Sequence, residues 1–185
     1  MPGFNIHIAV ANKYLNNNKN KYKSRLEFLK GSVYPDLSLD KAKSHCSGPI
    51  NDNLSISLKS KVNLGEYLSL NKGNTDFDEG VLLHLVTDYY FYNYFFDSEY
   101  IRNTSYDQFQ NDIYYSFDQV DDYVKNKYSV EYEVYRNEIL SDFEKYKLIK
   151  YNEETQNIID IEKLDKFIDA MSIINLDDIK NEFEV

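Results

Sequence analysis

Within the stretch LLHLVTDYYFYNYFF, residues 82–96, an imidazole and a carboxylate interrupt a run that is otherwise almost wholly apolar and aromatic. His84 and Asp88 are four residues apart. On a helix they share a face, with Cβ atoms about 5–6 Å apart. A lone buried carboxylate is costly unless it is compensated. Three compensations are open: a hydrogen bond from His84, a Lys or Arg partner, or a metal ion. For these two residues alone the hydrogen-bonded pair ranks ahead of the metal, because a helical His-x3-Asp is a weak motif.

The chain has two other histidines, His7 and His45. His7 lies between Ile6 and Ile8 on the apolar side of a helical segment, where a core histidine is the plainer reading. His45 closes the stretch YPDLSLDKAKSH, in which Asp36 comes straight after Pro35. Two helical histidines, two aspartates and one loop histidine could converge as a nitrogen and oxygen donor set. Zinc takes such donors at about 2.0–2.2 Å. The single Cys46 rules out an internal disulfide framework. Its thiolate could close a metal shell beside His45, but sequence neighbours rarely reach one ion, so it reads as a small buried or loop residue.

The elements that must position these residues read as helix after helix. NIHIAVANKYL, residues 5–15, has helical apolar spacing at Ile6, Val10 and Leu15. A second helix opens with Ser24 as N-cap, and Gly31 and Pro35 predict its end near Gly31. SHCSGPINDN is loop chemistry. A helix is expected from about Leu54 to Leu70, then a turn, with Thr75 or Asp76 capping the buried helix of His84 and Asp88. Three further helices are expected at roughly 105–126, 130–149 and 160–182. The last has its apolar stripe at Ile161, Leu164, Phe167, Ile168, Met171 and Ile174. Short apolar pieces near 128–135 are compatible with strand or tyrosine-rich helix. The expectation is an all-α, single-domain bundle over 1–185, with six to seven helices around the central one.

The 185 residues suffice for one sizeable core, and 42% hydrophobic with 28% charged residues marks a globular chain. A net charge of −10 argues against binding duplex nucleic acid or an anionic membrane. The Lys/Arg-rich stretch from Lys13 to Lys43 reads first as a solvated basic face and, more sharply, as a weak guide for a phosphate substrate. No signal-peptide-like start and no clean apolar span is present, so the expected location is cytoplasmic, with no membrane span.

Four motifs, in order, resemble the bacterial zinc-dependent phospholipase C family, which is similar in fold to zinc-dependent single-strand nucleases. They are FNIHIAVA, FLKGSVYPDL, KAKSHCSG and GVLLHLVTDYYF, within roughly the first 100 residues. As a set, Gly31-x3-Pro35-Asp36, then His45, then His84-x3-Asp88 is specific. Residues 101–185 would complete the bundle. The resemblance implies an all-helical fold with a polynuclear zinc site. Asp36, His45, His84 and Asp88 would hold one zinc, while His7 and a bridging Asp88 would help to hold a second. In the family a free N-terminal amine also binds the second metal; loss of Met1 here would expose the Pro2 amine. The family's further zinc, on two more histidines and a glutamate, has no counterpart, since no histidine follows His84. Asp97 and Glu99 are the carboxylates that could replace it, and they would bind zinc poorly.

The implied activity is hydrolysis of a small phosphate ester or phospholipid at one or two zinc ions, or another divalent transition metal. Asp36 is the expected catalytic residue, orienting water or taking its proton, because Asp88 would already be bridging. Tyr34, Tyr89 and Tyr92 line the cleft in that reading and are ordinary packing residues otherwise. Two alternatives remain: a non-catalytic, metal-stabilised helical interaction domain, and a phosphohydrolase of the HD type. The second lacks its adjacent His-Asp pair here.

Overall fold

A computed structural model describes residues 3–46, 62–71, 73–130 and 151–183. The protein is an all-α bundle, with no β-strand among those residues. The helices are α1 (Phe4–Asn17), α2 (Arg25–Leu37), α3 (Lys41–Ser44), α4 (Leu64–Leu70), α5 (Asp76–Tyr90), α6 (Ser98–Asn103), α7 (Tyr106–Lys127), α8 (Ile161–Ser172) and α9 (Leu176–Phe183). A π-helical segment, Phe91–Phe95, prolongs α5. Among the described residues, no helix is long and apolar enough to cross a membrane.

The centre of the bundle is α5. Every residue from Glu79 to Asp88 is buried, as expected of a helix apolar nearly all round. It starts where the sequence signals a start. The Thr75 side chain accepts from the Asp78 N–H, and the Asp78 carboxylate accepts from the Thr75 N–H, closing a capping box. The helix packs most extensively on α2. Two glycines allow that approach. A Cβ on Gly31 would stand 2.0 Å from the Phe77 carbonyl oxygen, and one on Gly80 would stand 2.0 Å from that of Phe28. Each glycine thus admits the partner helix's backbone. On the other side, α1 packs against α2, α5, α7 and α8. It is buried continuously from Asn5 to Ala11.

Three expectations about elements need correction, and one element is additional. The second helix does not end near Gly31. Gly31 has no positive φ and serves as a helix contact, not as a cap. The helix runs through Pro35 to Leu37 because burial of Val33 and Pro35 against its neighbours outweighs the local penalty of proline. The helix expected from about Leu54 begins at Leu64, where the Asn63 side chain caps it by accepting from the Glu66 N–H; residues 54–61 lie outside the described residues. The helix expected over 160–182 is two helices, α8 and α9. Asn175 starts the second, its side chain accepting from the Asp177 N–H. Finally, α6 is an additional short helix, capped by Asp97, whose carboxylate accepts from the Glu99 and Tyr100 N–H groups. The helix expected over 130–149 lies outside the described residues except at its first residue, Val130, which is not helical.

The basic stretch is partly neutralised in the fold. Lys13 pairs with Asp169, Lys21 with Asp177 at 3.0 Å, and Lys30 with Glu27 at 3.1 Å. The first two clasp the N-terminal part of the chain to α8 and α9.

Candidate metal centre

All five candidate ligands meet where α1, α2 and α5 cross. His7 comes from α1, Asp36 from the last turn of α2, and His84 and Asp88 from successive turns of α5. His45 lies in the turn after α3. That turn is pinned: the Cys46 N–H donates to the Lys43 carbonyl at 3.1 Å, and the Asn63 N–H donates to the Cys46 carbonyl at 3.2 Å. Cys46 takes a left-handed φ of 45° to do so. Of the five residues Asp36 is the most accessible, at 8%.

Hydrogen bonding fixes how His84 faces the cluster. Its Nδ1 stands 2.8 Å from the Ser32 carbonyl oxygen. A carbonyl can only accept, so Nδ1 carries the proton and Nε2 offers a lone pair. That Nε2 stands 3.3 Å from His45 Nε2, 3.7 Å from Asp36 Oδ1 and 3.6 Å from Asp88 Oδ2. His45 Nε2 stands 3.5 Å from Asp36 Oδ1 and 3.4 Å from Asp88 Oδ2. Donors at zinc–ligand distance on a tetrahedral centre lie about 3.3–3.6 Å apart. Four of the five separations fall in that range, and the His84–Asp36 one is slightly wider.

His7 addresses the far side of the same carboxylates. Its Nε2 is 3.3 Å from Asp88 Oδ1 and 4.0 Å from Asp36 Oδ2. Each carboxylate thus turns one oxygen to His45 and His84 and the other to His7. The His7 ring also stacks on His84, with centroids 3.7 Å apart and planes inclined by 15°. Two overlapping triads have the proximity needed to hold an ion: His7, Asp36 and His84, and His45, His84 and Asp88.

The electrostatics of the cluster set burial against the histidines. Burial pushes the Asp36 carboxyl up, but the imidazoles of His84, His45 and His7 outweigh it and hold the group below the ordinary carboxylate range. Asp88 behaves likewise, with burial opposed chiefly by His84 and His7. Burial and the neighbouring His7 drive His84 down to about 3, so its imidazole is neutral. Among the described residues, the ion pairs of Asp36 and Asp88 are all with histidines. Both ring nitrogens of His7, Asp36 Oδ1 and Asp88 Oδ1 are buried without a hydrogen bond. Buried polar atoms rarely stay unsatisfied, and a divalent cation is the group that such a donor set fits.

No family model, curated protein or solved structure matches the chain. The donor geometry and the ordered sequence motifs therefore carry the functional reading.

The other candidates fall elsewhere. Cys46 Sγ lies 3.8 Å from the Lys43 carbonyl oxygen, and burial pushes its thiol up. Asp97 is occupied as the cap of α6. Tyr92 packs against Phe91, Phe96 and Phe109, and Tyr89 against Tyr90, Tyr94 and Phe183. Tyr34 is half exposed, its ring edge against Phe77. The Ser32 carbonyl was not foreseen, because a backbone acceptor 52 residues from its histidine leaves no mark in the sequence.

Proposed function

We propose that the protein is a metal-dependent phosphoric-ester hydrolase related to the zinc-dependent phospholipase C family. It holds one or two zinc ions, or another divalent transition metal, at His7, Asp36, His45, His84 and Asp88. The observation that carries the metal is the approach of His45 Nε2 and His84 Nε2 to each other and to Asp36 Oδ1 and Asp88 Oδ2, all at 3.3–3.7 Å. The ordered motifs carry the phosphate ester.

A zinc ion held there would supply a bound water with a pKa near 7 and charge to offset the phosphoryl oxygens. The chain's own groups divide the remaining work. Asp88 is engaged on both oxygens, toward His45 and His84 on one side and His7 on the other. Asp36 Oδ2 lies 4.0 Å from His7 Nε2, farther than the contacts of Asp88 with the three histidines, and Asp36 is the least buried of the five. Asp36 is therefore the residue that orients the attacking water and accepts its proton. His84 is held by the Ser32 carbonyl, so its donor atom does not rotate away during turnover.

The near-complete burial of all five ligands supports a second reading, a helical interaction domain in which the metal serves only stability. A structural ion has a shell closed by protein ligands, whereas a catalytic one keeps a water position. A screen of the fully metallated protein against lipid, nucleotide and aryl phosphates separates the two. The hydrolase reading predicts weak or narrow turnover that a chelator abolishes. No turnover from metallated protein favours the structural reading.

A further inference from the structure

We infer that Ser44 is a positioning residue that sets the tautomer of His45 and ties it to Asp36. The inference rests on the metal-binding reading above and assigns a role to a residue outside the donor set. The Ser44 hydroxyl oxygen lies 2.9 Å from the Pro35 carbonyl oxygen and 3.1 Å from His45 Nδ1. A hydroxyl has one proton and a carbonyl has none. The hydroxyl proton therefore goes to Pro35, and Ser44 Oγ faces His45 Nδ1 as an acceptor. Nδ1 must then carry the ring proton, which leaves Nε2 bare. That bare atom is the one 3.3 Å from His84 Nε2, itself bared by the Ser32 carbonyl.

The two histidines thus solve one problem by different means. His84 is oriented by a backbone carbonyl of α2, and His45 by a side chain of α3 that is in turn oriented by a backbone carbonyl of α2. The second chain matters more, because His45 lies in a turn and lacks the support of a long helix. Pro35 immediately precedes Asp36, so one hydroxyl registers the His45 turn against the α2 segment that carries Asp36. Outer partners of this kind typically change metal affinity by about 10- to 100-fold when removed.

The test uses the full chain with Co2+ as probe, titrated in competition with a chelator and read by visible absorption. Ser44→Ala should weaken Co2+ binding about tenfold or more, while Ser44→Thr, which keeps the hydroxyl, should bind as the wild type does. Thermal unfolding of the metal-free proteins controls for a general loss of fold. Co2+ affinity unchanged in Ser44→Ala overturns the inference. Absence of Co2+ binding by the wild type overturns the metal reading instead. In that case nitrogen-15 spectra of the metal-free wild type still decide the role of Ser44. The inference requires neutral His45 to carry its proton on Nδ1, and a proton on Nε2 contradicts it. That last measurement needs no variant to fold.

Discussion

Two buried carboxylate sites in this protein are built on opposite plans. Asp112, on α7, is fully buried. Its Oδ1 accepts from the Gln108 side chain at 2.8 Å and the Gln156 N–H at 2.9 Å, and its Oδ2 accepts from the Tyr100 hydroxyl at 2.6 Å. One turn on, Ser116 Oγ accepts from the Ile158 N–H at 2.8 Å. Every partner of Asp112 brings a proton. Asp36 and Asp88 are buried almost as deeply, yet they face imidazole nitrogens, and one oxygen of each makes no hydrogen bond. Burial of a carboxylate is therefore no sign of a metal. What sets Asp36 and Asp88 apart is that, among the described residues, their ion pairs are all with imidazoles, and His84 turns a bare nitrogen toward them.

Chelation should sharpen this difference most. Removing metal from the loaded protein should cost about 4 kcal/mol at a thousandfold excess of metal over its dissociation constant. For a chain of this size that lowers Tm by roughly 10 °C, readable by calorimetry with and without chelator. No metal-dependent shift in Tm would break the comparison at its metal side.

Asp112→Ala should cost about 3 kcal/mol, because it strands the Gln156 N–H and the Tyr100 hydroxyl and leaves the Gln108 amide with the Glu154 carbonyl as its partner. The loss should be equal with and without metal in denaturant unfolding. A loss that depends on metal would show that the two sites are coupled.

Gly80→Ala tests how the helices bring the donors together. Its Cβ would meet the Phe28 carbonyl oxygen at 2.0 Å, so α2 and α5 must separate. About 2 kcal/mol of stability should be lost, together with metal affinity, since Asp36 and His84 sit on the separated helices. Retention of wild-type affinity would show that the α2–α5 spacing does not set the site.

Asp88→Asn should have the smallest effect on stability. In the metal-free protein it removes a charge that His84 and His7 hold against the cost of burial, and stability should change by no more than about 1 kcal/mol, downward. In excess metal it should lower stability further relative to the wild type. A loss in the metal-free form as large as that in excess metal would mean that the histidines already compensate Asp88 in full.

These two sites were unequally legible in the sequence. The His84 and Asp88 pair stands out because polar residues interrupt an apolar run at helical spacing. His7 stands out less, as one imidazole between isoleucines. Asp36 and His45 have no periodicity to reveal them; residue type alone made them candidates, and the order of the motifs gave them a place in the site. Asp112 was overlooked, although it lies on the helical stripe of Phe109, Ile113, Ser116, Val120 and Val124 that α7 buries. A carboxylate in an amphipathic helix looks solvated until its neighbours in space are known. Pro35 misled in the other direction. Its local preference argues for a break after Gly31, and the packing of α2 on α5 overrides it. Ser32 and Ser44 act through carbonyl groups and ring tautomers, which tertiary contact alone creates.

The central claim is that the His/Asp cluster exists to hold divalent metal, and elemental analysis tests it most directly. The purified chain, stripped with chelator, reconstituted with excess zinc and freed of unbound metal, should retain one or two equivalents. His7→Ala should retain about one fewer than a two-metal wild type, and His84→Ala should lose the ion bound with His45. Zinc-free wild-type protein after this reconstitution would contradict the claim. The three imidazoles and two carboxylates would then be a self-contained hydrogen-bonded core.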